Sequence, residues 1–407
     1  MDKRLSERGQ GLIEPETGPR ARYYELRRSL RRALDPKDAT GYLAFGNADE
    51  GRRPYLSSEH IREAAKYAID NPGTDIVYTP SEGRLEVREA IAEKCEREND
   101  FEVDPEKEVH VTVGTQMGIF CTMQCLLNPG DKVLIPDPEY GSYIGLIKYA
   151  GGVPVRFPMK EGEDGQTRFD VEAMEKAASP DIKLFAFTNP CNPGGYLYTK
   201  SDLEAIADLA ERNDFLVFAD DLYEKLVYDG RKHISFASIP GMKDRTITIM
   251  GTSKTESMQI FRIGYVIAPE GIMRCISRLA GTILIRSPYI SQKALLAFLT
   301  EKKEFSGKRI EFHQECRDLV WRELNKIDGI RCNKPMGTSY AFPNHRALNP
   351  SSYDFVTDLL EKGLVALNAG SMYGPEVAEG HVRFCFASPQ ERLKEGLRRI
   401  KIACEQM

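Results

Sequence analysis

One lysine, one arginine and a pair of aspartates stand where they could do chemistry. Gly251-Thr252-Ser253-Lys254-Thr255 follows directly on the apolar run Thr246-Ile247-Thr248-Ile249-Met250, and Phe261-Arg262-Ile263-Gly264-Tyr265 comes soon after. The run is short and β-branched, the pattern of a buried parallel strand. Lys254 therefore sits just past a strand end among small hydroxyl residues, eight positions before Arg262. A lysine so placed can serve as a nucleophilic amine toward a carbonyl. An isolated Ser-Lys-Thr is more often plain surface, so the other strand ends have to decide.

Four of them carry equally unusual residues. Val111–Val113 leads into Gly114-Thr115-Gln116 at the mouth of a helix, where free amides and a hydroxyl suit a phosphate; a glycine turn with a threonine cap is the plainer alternative. Lys132–Ile135 leads into Pro136-Asp137-Pro138-Glu139-Tyr140, a stiff loop presenting an aromatic ring, with Tyr143 beyond. Lys183–Thr188 leads into Asn189-Pro190-Cys191-Asn192-Pro193-Gly194-Gly195, a rigid turn whose asparagine amides can donate into a cleft. Phe215–Ala219 runs into Asp220, Asp221 and Tyr223. A carboxylate ending an apolar strand is costly unless a cation, hydrogen bonds or a helix end take it up. Ligands of doubly wound sheets bind beyond the carboxyl ends of the parallel strands. The parts add up to an amine for an aldehyde, a carboxylate for a ring nitrogen, a ring to stack and a pocket for phosphate. Those are the protein partners that pyridoxal 5′-phosphate needs.

The elements that must hold these residues read as follows. A basic helix over Arg20 to Leu34 is expected to be a solvated amphipathic arm, and Gly41 to Asn47 a short extended segment. Ser57 or Ser58 can cap a helix with apolar face Ile61, Ala64, Ala65, Ala68 and Ile69, and the Tyr78–Gly83 loop opens a helix from Leu85 to about Arg97. Strands then alternate with helices, one of which carries a capping box formed by Ser201 and Glu204. Gly264–Ala268 is a companion strand to Thr246–Met250. The alternation implies right-handed crossovers and a mostly parallel, doubly covered sheet. A long helix from Glu304 to Ile327 and short strands near Ile330, Ser339–Phe342, Val365–Asn368 and His381–Phe386 follow, closed by a helix from Pro389 to about Cys404. This places an N-terminal arm and part of a small domain at 1–55, a large α/β domain at 56–300 and a small α+β domain at 301–407.

Composition bounds the function. A net charge of −5 and a pI near 5.9 speak against nucleic acid or an anionic membrane as partner. No apolar run approaches the roughly 20 residues of a membrane span, and the charged Met1–Arg8 segment lacks a secretory apolar core. The nine cysteines include no C-x-x-C pair, and the six histidines show no ligand spacing. A cytoplasmic protein with free thiols and no metal is expected. No G-x-G-x-x-G follows a strand, which disfavours a nicotinamide-dependent Rossmann enzyme. The roughly 40 residues before Gly41 are too few for the DNA-binding domain of a regulator and lack a helix-turn-helix pattern.

From about Tyr42 to the C-terminus the sequence resembles the class I/II aminotransferases, the aspartate-aminotransferase-like enzymes of pyridoxal-phosphate fold type I. The S-K-x(7)-R element matches Ser253, Lys254 and Arg262, which implies Lys254 as the Schiff-base lysine, Ser253 beside the cofactor and Arg262 on its phosphate. The N-P-x-N-P-x-G element matches Asn192 and D-x-x-Y matches Asp220 and Tyr223. The resemblance implies Asp220 at the pyridine nitrogen, with Asn192 and Tyr223 on the phenolic oxygen. Gly114, Thr115 and Gln116 fall on the phosphate turn and Tyr140 on the ring-stacking position. Tyr78, in Y-x-x-x-x-G, is expected at the phosphate of a neighbouring subunit, so a homodimer with shared sites is implied, with Arg286 a further candidate across the interface. Arg383, in His381-Val382-Arg383-Phe384-Cys385-Phe386-Ala387, matches the arginine that grips the substrate α-carboxylate, and Gly46 the glycine whose backbone approaches it.

The implied activity is amino transfer from an L-amino acid to a 2-oxo acid through Lys254, with Asp220 and Tyr223 assisting. A lyase or cyclase resembling the aminocyclopropane-carboxylate synthases is the alternative. Departures from the family pattern are Ile260-Phe261-Arg262 in place of G-W-R, and Gly251 where many members carry Ser or Thr. Asn192-Pro193-Gly194-Gly195 replaces N-P-T-G, and Phe45-Gly46-Asn47-Ala48-Asp49-Glu50 replaces G-x-P-D.

Overall fold

The structure, a computed structural model, describes residue 6 and residues 17–33, 43–45, 57–71, 78–162, 167–300, 304–349 and 351–407. Gly46 lies outside the described residues. The chain begins with α1 (Pro19–Ala33), β1 (Leu43–Ala44), α2 (Glu59–Asp70), α3 (Leu85–Asn99) and β2 (Val109–Thr112). There follow α4 (Thr115–Leu126), β3 (Lys132–Asp137), α5 (Gly141–Ala150) and β4 (Val153–Pro158). A small hairpin, β5 (Lys160–Glu161) and β6 (Thr167–Arg168), precedes α6 (Val171–Ala177). Next are β7 (Ile182–Thr188), α7 (Lys200–Asn213), β8 (Leu216–Asp220), β9 (Thr246–Gly251) and β10 (Gly264–Ile267).

The central sheet has seven strands in the order β2-β10-β9-β8-β7-β3-β4. All run parallel except β10, which is antiparallel to both β2 and β9. Side chains alternate between its faces, as the pleat requires. Phe185, Phe187, Val217 and Ala219 meet Leu203 and Ile206 of α7 on one side. Leu184, Ala186 and Phe218 meet Ile119 of α4 and Tyr143 and Ile147 of α5 on the other. Both faces are apolar because both are covered, which is why these strands read as unbroken apolar runs. A third cluster packs Ile61 of α2, Val87 and Ile91 of α3 and Tyr265 of β10 together with Leu295.

The remaining elements are α8 (Glu270–Ile283), α9 (Tyr289–Leu299), α10 (Glu304–Leu324), β11 (Tyr340–Ala341), α11 (Ser352–Gly363), β12 (Val365–Ala366), β13 (Asn368–Ala369), β14 (Val382–Cys385) and α12 (Gln390–Cys404). β11, β14 and β13 form a small antiparallel sheet, while β1 pairs in parallel with β12. Leu43, Phe45, Val320, Phe355, Leu359, Phe384 and Leu397 share one apolar cluster there. Arg317 of α10, fully buried, grips Asp229 with two hydrogen bonds of 2.7 and 2.8 Å and so ties this layer to the loop after β8.

Three local expectations are corrected. The N-terminal helix is docked, not solvated: Tyr23 is buried against α11 and the Leu43–Phe45 segment, and its hydroxyl donates to Leu367 O at 2.5 Å. The capping box of α7 is Thr199 with Asp202, not Ser201 with Glu204. Thr199 is the last extended residue (φ −76, ψ 165), so its hydroxyl and not that of Ser201 faces the free amides. On α2, Ile61, Ala65 and Ala68 are buried but Ile69 is 61% exposed beside the exposed Tyr67. Among the described residues no helix is long and apolar enough to cross a membrane.

Candidate active site

Topology explains why residues scattered from 114 to 262 converge. Five of the six parallel strands, β2, β3, β7, β8 and β9, deliver these residues at their carboxyl ends to one edge of the sheet. β10 runs the other way, so its beginning, just after Arg262, arrives at that same edge. From the small antiparallel sheet, β11 and β14 bring Tyr340 and Arg383 over it. The resulting cavity is lined by Tyr140, Thr188, Asn192, Asp220, Leu222, Tyr223, Lys254, Tyr340 and Arg383. A larger open cleft beside Arg286 holds none of these groups.

Asp220 ends β8 and is buried. Its carboxylate is held on one oxygen by the Tyr143 hydroxyl at 2.8 Å and on the other by the Leu222 amide at 3.0 Å. Burial pushes the carboxyl up to about 6; the two hydrogen bonds oppose that rise and the neighbouring Asp221 adds to it. Asp221 points elsewhere, taking 2.7 Å from the Ser235 hydroxyl and lying 3.2 Å from His233 Nε2. The two adjacent aspartates are thereby separated in role, one in the cavity and one in the wall.

Arg383 is buried, and its Nη1 donates to Asn192 Oδ1 at 2.8 Å. Its guanidinium carbon lies 4.0 Å from the centre of the Tyr340 ring and 4.8 Å from that of Tyr373. Two π faces thus orient the cation. Because Asn192 accepts through Oδ1, its amide protons are directed away from Arg383 toward other partners. The Tyr223 hydroxyl donates to the Tyr340 hydroxyl at 3.3 Å. Tyr340 and Tyr373 carry no signal in the sequence, since neither lies in a short motif and both arrive through the C-terminal layer.

The phosphate-like end is built on close backbone approach. Gly114 precedes α4 with φ +73, and a Cβ there would come within 2.4 Å of Arg262 Nη2. Only glycine lets this guanidinium lie against the backbone that leads into the helix, beside an N-terminus whose first amides suit an anion. Arg262 itself adopts a left-handed φ of 48. Gly251 and Gly264 are paired across β9 and β10, and a Cβ on either would meet the Thr115 methyl, at 2.7 and 2.9 Å. The missing Ser or Thr at position 251 is therefore explained: Thr115 fills that space. Gln116 Oε1 accepts from the Tyr140 hydroxyl at 3.4 Å, and the Tyr140 ring stands edge-on to Tyr143 at 5.4 Å.

Lys254 is half-buried in the cavity wall. The turn after it is fixed from α10, where Arg309 donates to Thr255 O at 2.6 Å and pairs with Glu256 at 3.2 Å. Behind Tyr140, Glu139 is buried and takes hydrogen bonds from the Tyr140 amide (2.6 Å) and the Thr188 amide (3.0 Å), with the Thr188 hydroxyl in hydrogen-bonding contact with its Oε1 at 2.6 Å. Burial pushes its carboxyl up to about 8, with those bonds opposing and Asp220 adding to the rise. Sequence reasoning saw Glu139 only as part of a stiff loop. Tyr78 is 66% exposed under the Arg286 guanidinium, 4.7 Å from the ring centre, and Arg286 Nε donates to Thr79 O. These two are together, outside the cavity. Among the described residues no group of three or more His, Cys, Asp or Glu could hold a metal ion.

The donor set fits a phosphorylated pyridine aldehyde. It offers an amine, a buried carboxyl, two side chains that can donate to a ring oxygen, and a glycine cradle between a guanidinium and free amides. The comparisons give the family. A profile described as "Aminotransferase class I and II" matches residues 43–400. An aspartate aminotransferase of Pyrococcus abyssi is 36% identical over 385 residues, 93% of this chain and 94% of that one. An aromatic-amino-acid aminotransferase of Thermococcus litoralis is 36% identical over 359 residues, 86% of this chain and 89% of the relative. The solved aspartate aminotransferase of Thermus thermophilus with maleate superposes with a TM-score of 0.86 at 32% identity, covering 98% of this chain and 99% of its own.

Proposed function

The chain belongs to the class I and II aminotransferase family, is an aminotransferase and has the type I fold of the pyridoxal-phosphate enzymes, and from that premise we propose how its residues divide the work. The cofactor is pyridoxal 5′-phosphate, and the substrates are an L-amino acid and a 2-oxo acid. When bound, the cofactor supplies an aldehyde for an amine and a ring that takes up the electrons left as the substrate Cα–H bond breaks. Lys254 Nζ is the amine that holds the aldehyde and, once displaced, carries the proton from Cα. Asp220 keeps a proton on the ring nitrogen, while Asn192 and Tyr223 donate to the ring oxygen. Gly114, Thr115, Gln116, Ser253 and Arg262 receive the phosphate, and Tyr140 covers the ring. Arg383 binds the α-carboxylate through its guanidinium, with the backbone of Gly46 assigned to the same carboxylate.

The observation that carries this reading is that one cavity holds Lys254, Asp220, Tyr223, Asn192 and Arg383. The chain is divided at 1–55, 56–300 and 301–407, a division supported by the separate apolar cluster that joins Leu43–Phe45 to residues 316–404. The protein is assigned to the cytoplasm as a homodimer; the placement of Tyr78 and Arg286 at the partner's site is supported by their outward, mutually stacked arrangement. The test is a single turnover without added acceptor. An aminotransferase releases one equivalent of 2-oxo acid per site and no ammonia; catalytic ammonia release would replace this reading with a lyase.

A further inference from the structure

The strongest unused feature is a buried carboxyl wired to Asp220. We propose that Glu139 is a protonated positioning residue that aims a chain of hydrogen bonds, through Thr188 and Tyr143, at Asp220. It thereby fixes Asp220 as the anion facing the ring nitrogen. This rests on the role given to Asp220 above.

The case is a proton count. Three oxygen–oxygen contacts link the two carboxyls: Asp220 Oδ2 to Tyr143 Oη at 2.8 Å, Tyr143 Oη to Thr188 Oγ1 at 3.2 Å, and Thr188 Oγ1 to Glu139 Oε1 at 2.6 Å. Tyr143 and Thr188 own one proton each. With both carboxyls ionised, Tyr143 donates to Asp220, Thr188 donates to Glu139, and the contact between the two hydroxyls is left bare. A proton on Glu139 fills all three. Glu139 then donates to Thr188, Thr188 to Tyr143, and Tyr143 to Asp220, every dipole pointing at the same carboxylate.

The remaining contacts permit that polarity. The Thr188 amide falls on Oε2, which stays a carbonyl, and the Tyr140 amide falls on Oε1, whose lone pair remains free to accept. The groups that face Glu139 supply no counter-ion: they are Asp220, Tyr143, Cys191 and Tyr198. Arg156 is a cation whose field reaches Glu139, but its Nη1 donates to Tyr373 O at 3.0 Å and lies 4.0 Å from Asp137, so its ion pair is with Asp137. Two carboxylates buried in one network cannot both stay charged cheaply unless each has a cation paired to it, and among the described residues Glu139 has none in hydrogen-bonding contact. Asp220 is the one that lines the cavity. The ordering agrees, with Asp220 pushed up to about 6 and Glu139 to about 8.

The experiment is infrared difference spectroscopy of the holoenzyme near pH 7, wild type against Glu139→Gln. Wild type should show the carbonyl stretch of a protonated carboxyl that the variant lacks. If the variant fails to fold, the pH dependence of wild type serves: that band should vanish as pH rises through about 8. Thr188→Val removes the bridging hydroxyl but leaves the Glu139 backbone bonds. It should shift the pH titration of the holoenzyme's visible band and weaken cofactor retention about fivefold to tenfold, and Thr188→Ser should restore both. The proposal is overturned if the protonated-carboxyl band is absent at pH 7, if Thr188→Val titrates like wild type, or if Thr188→Ser does not rescue it. A wild type without any visible cofactor band would refute the cofactor reading instead, and the infrared result would still decide where the proton sits.

Discussion

Replacing Arg383 with lysine tests the substrate end of the site at constant charge. The guanidinium is buried between Tyr340 and Tyr373, 4.0 and 4.8 Å from their ring centres, with one Nη spent on Asn192 Oδ1 at 2.8 Å. A guanidinium fork can present two parallel N–H groups to a carboxylate, whereas a lysine ammonium offers one well-aimed donor and loses the flat stacking. A hydrogen bond to a charged group is worth about 1.5–3 kcal/mol. At about 1.4 kcal/mol per decade, Arg383→Lys should lower kcat/KM for the amino acid about 10- to 150-fold. Steady-state kinetics measures this, with the affinity for cofactor as control, because Arg383 is not assigned to it. The reasoning fails if kcat/KM stays within about twofold of wild type, or if the loss is matched by an equal loss of cofactor affinity.

Three further perturbations probe other parts. Gly264→Ala sets a Cβ 2.7 Å from the Thr115 backbone nitrogen; it should cost about 1–3 kcal/mol in thermal unfolding and loosen cofactor, and an unchanged Tm would refute the packing argument. In the cofactor-free protein the raised Asp220 carboxyl contributes stability that is fully present below about 3.8 and is lost as pH rises through about 6. Asp220→Asn should remove that dependence, on the order of 3 kcal/mol by denaturant titration across pH 4 to 7, and identical pH slopes for the two proteins would contradict it. Shared sites predict complementation: mixing Tyr78→Ala with Lys254→Ala subunits should return about a quarter of wild-type activity, since half the dimers each carry one intact site. No recovery after verified subunit exchange would remove Tyr78 from the partner's site.

Much of the sheet was legible because covered parallel strands leave short β-branched or aromatic runs. Thr246–Met250 and Lys183–Thr188 announce themselves in that way. The antiparallel sense of β10 was not legible: nothing local in Gly264-Tyr265-Val266-Ile267 encodes direction, which is set by pairing with β2 and β9. The edge strand β4 escaped notice because Val153, Pro154 and Arg156 are only partly covered and break the apolar pattern. In the site, Lys254, Asp220, Asn192 and Gly114 could be found because each ends a strand and sits in a short motif. Tyr340, Tyr373, Thr188 and Glu139 could not, since their importance lies in contacts across distant segments. Gly251 shows the converse: a departure from pattern in one dimension becomes a fit in three, with Thr115 in the vacant space.

The central claim is that Lys254 holds the cofactor covalently. Borohydride reduction of the purified holoenzyme, followed by proteolysis and mass mapping, tests it most directly. The account predicts one pyridoxyl-phosphate adduct, on the peptide carrying Lys254, and loss of the visible band in Lys254→Ala. An adduct on another lysine, or a borohydride-sensitive band that survives in Lys254→Ala, would contradict it.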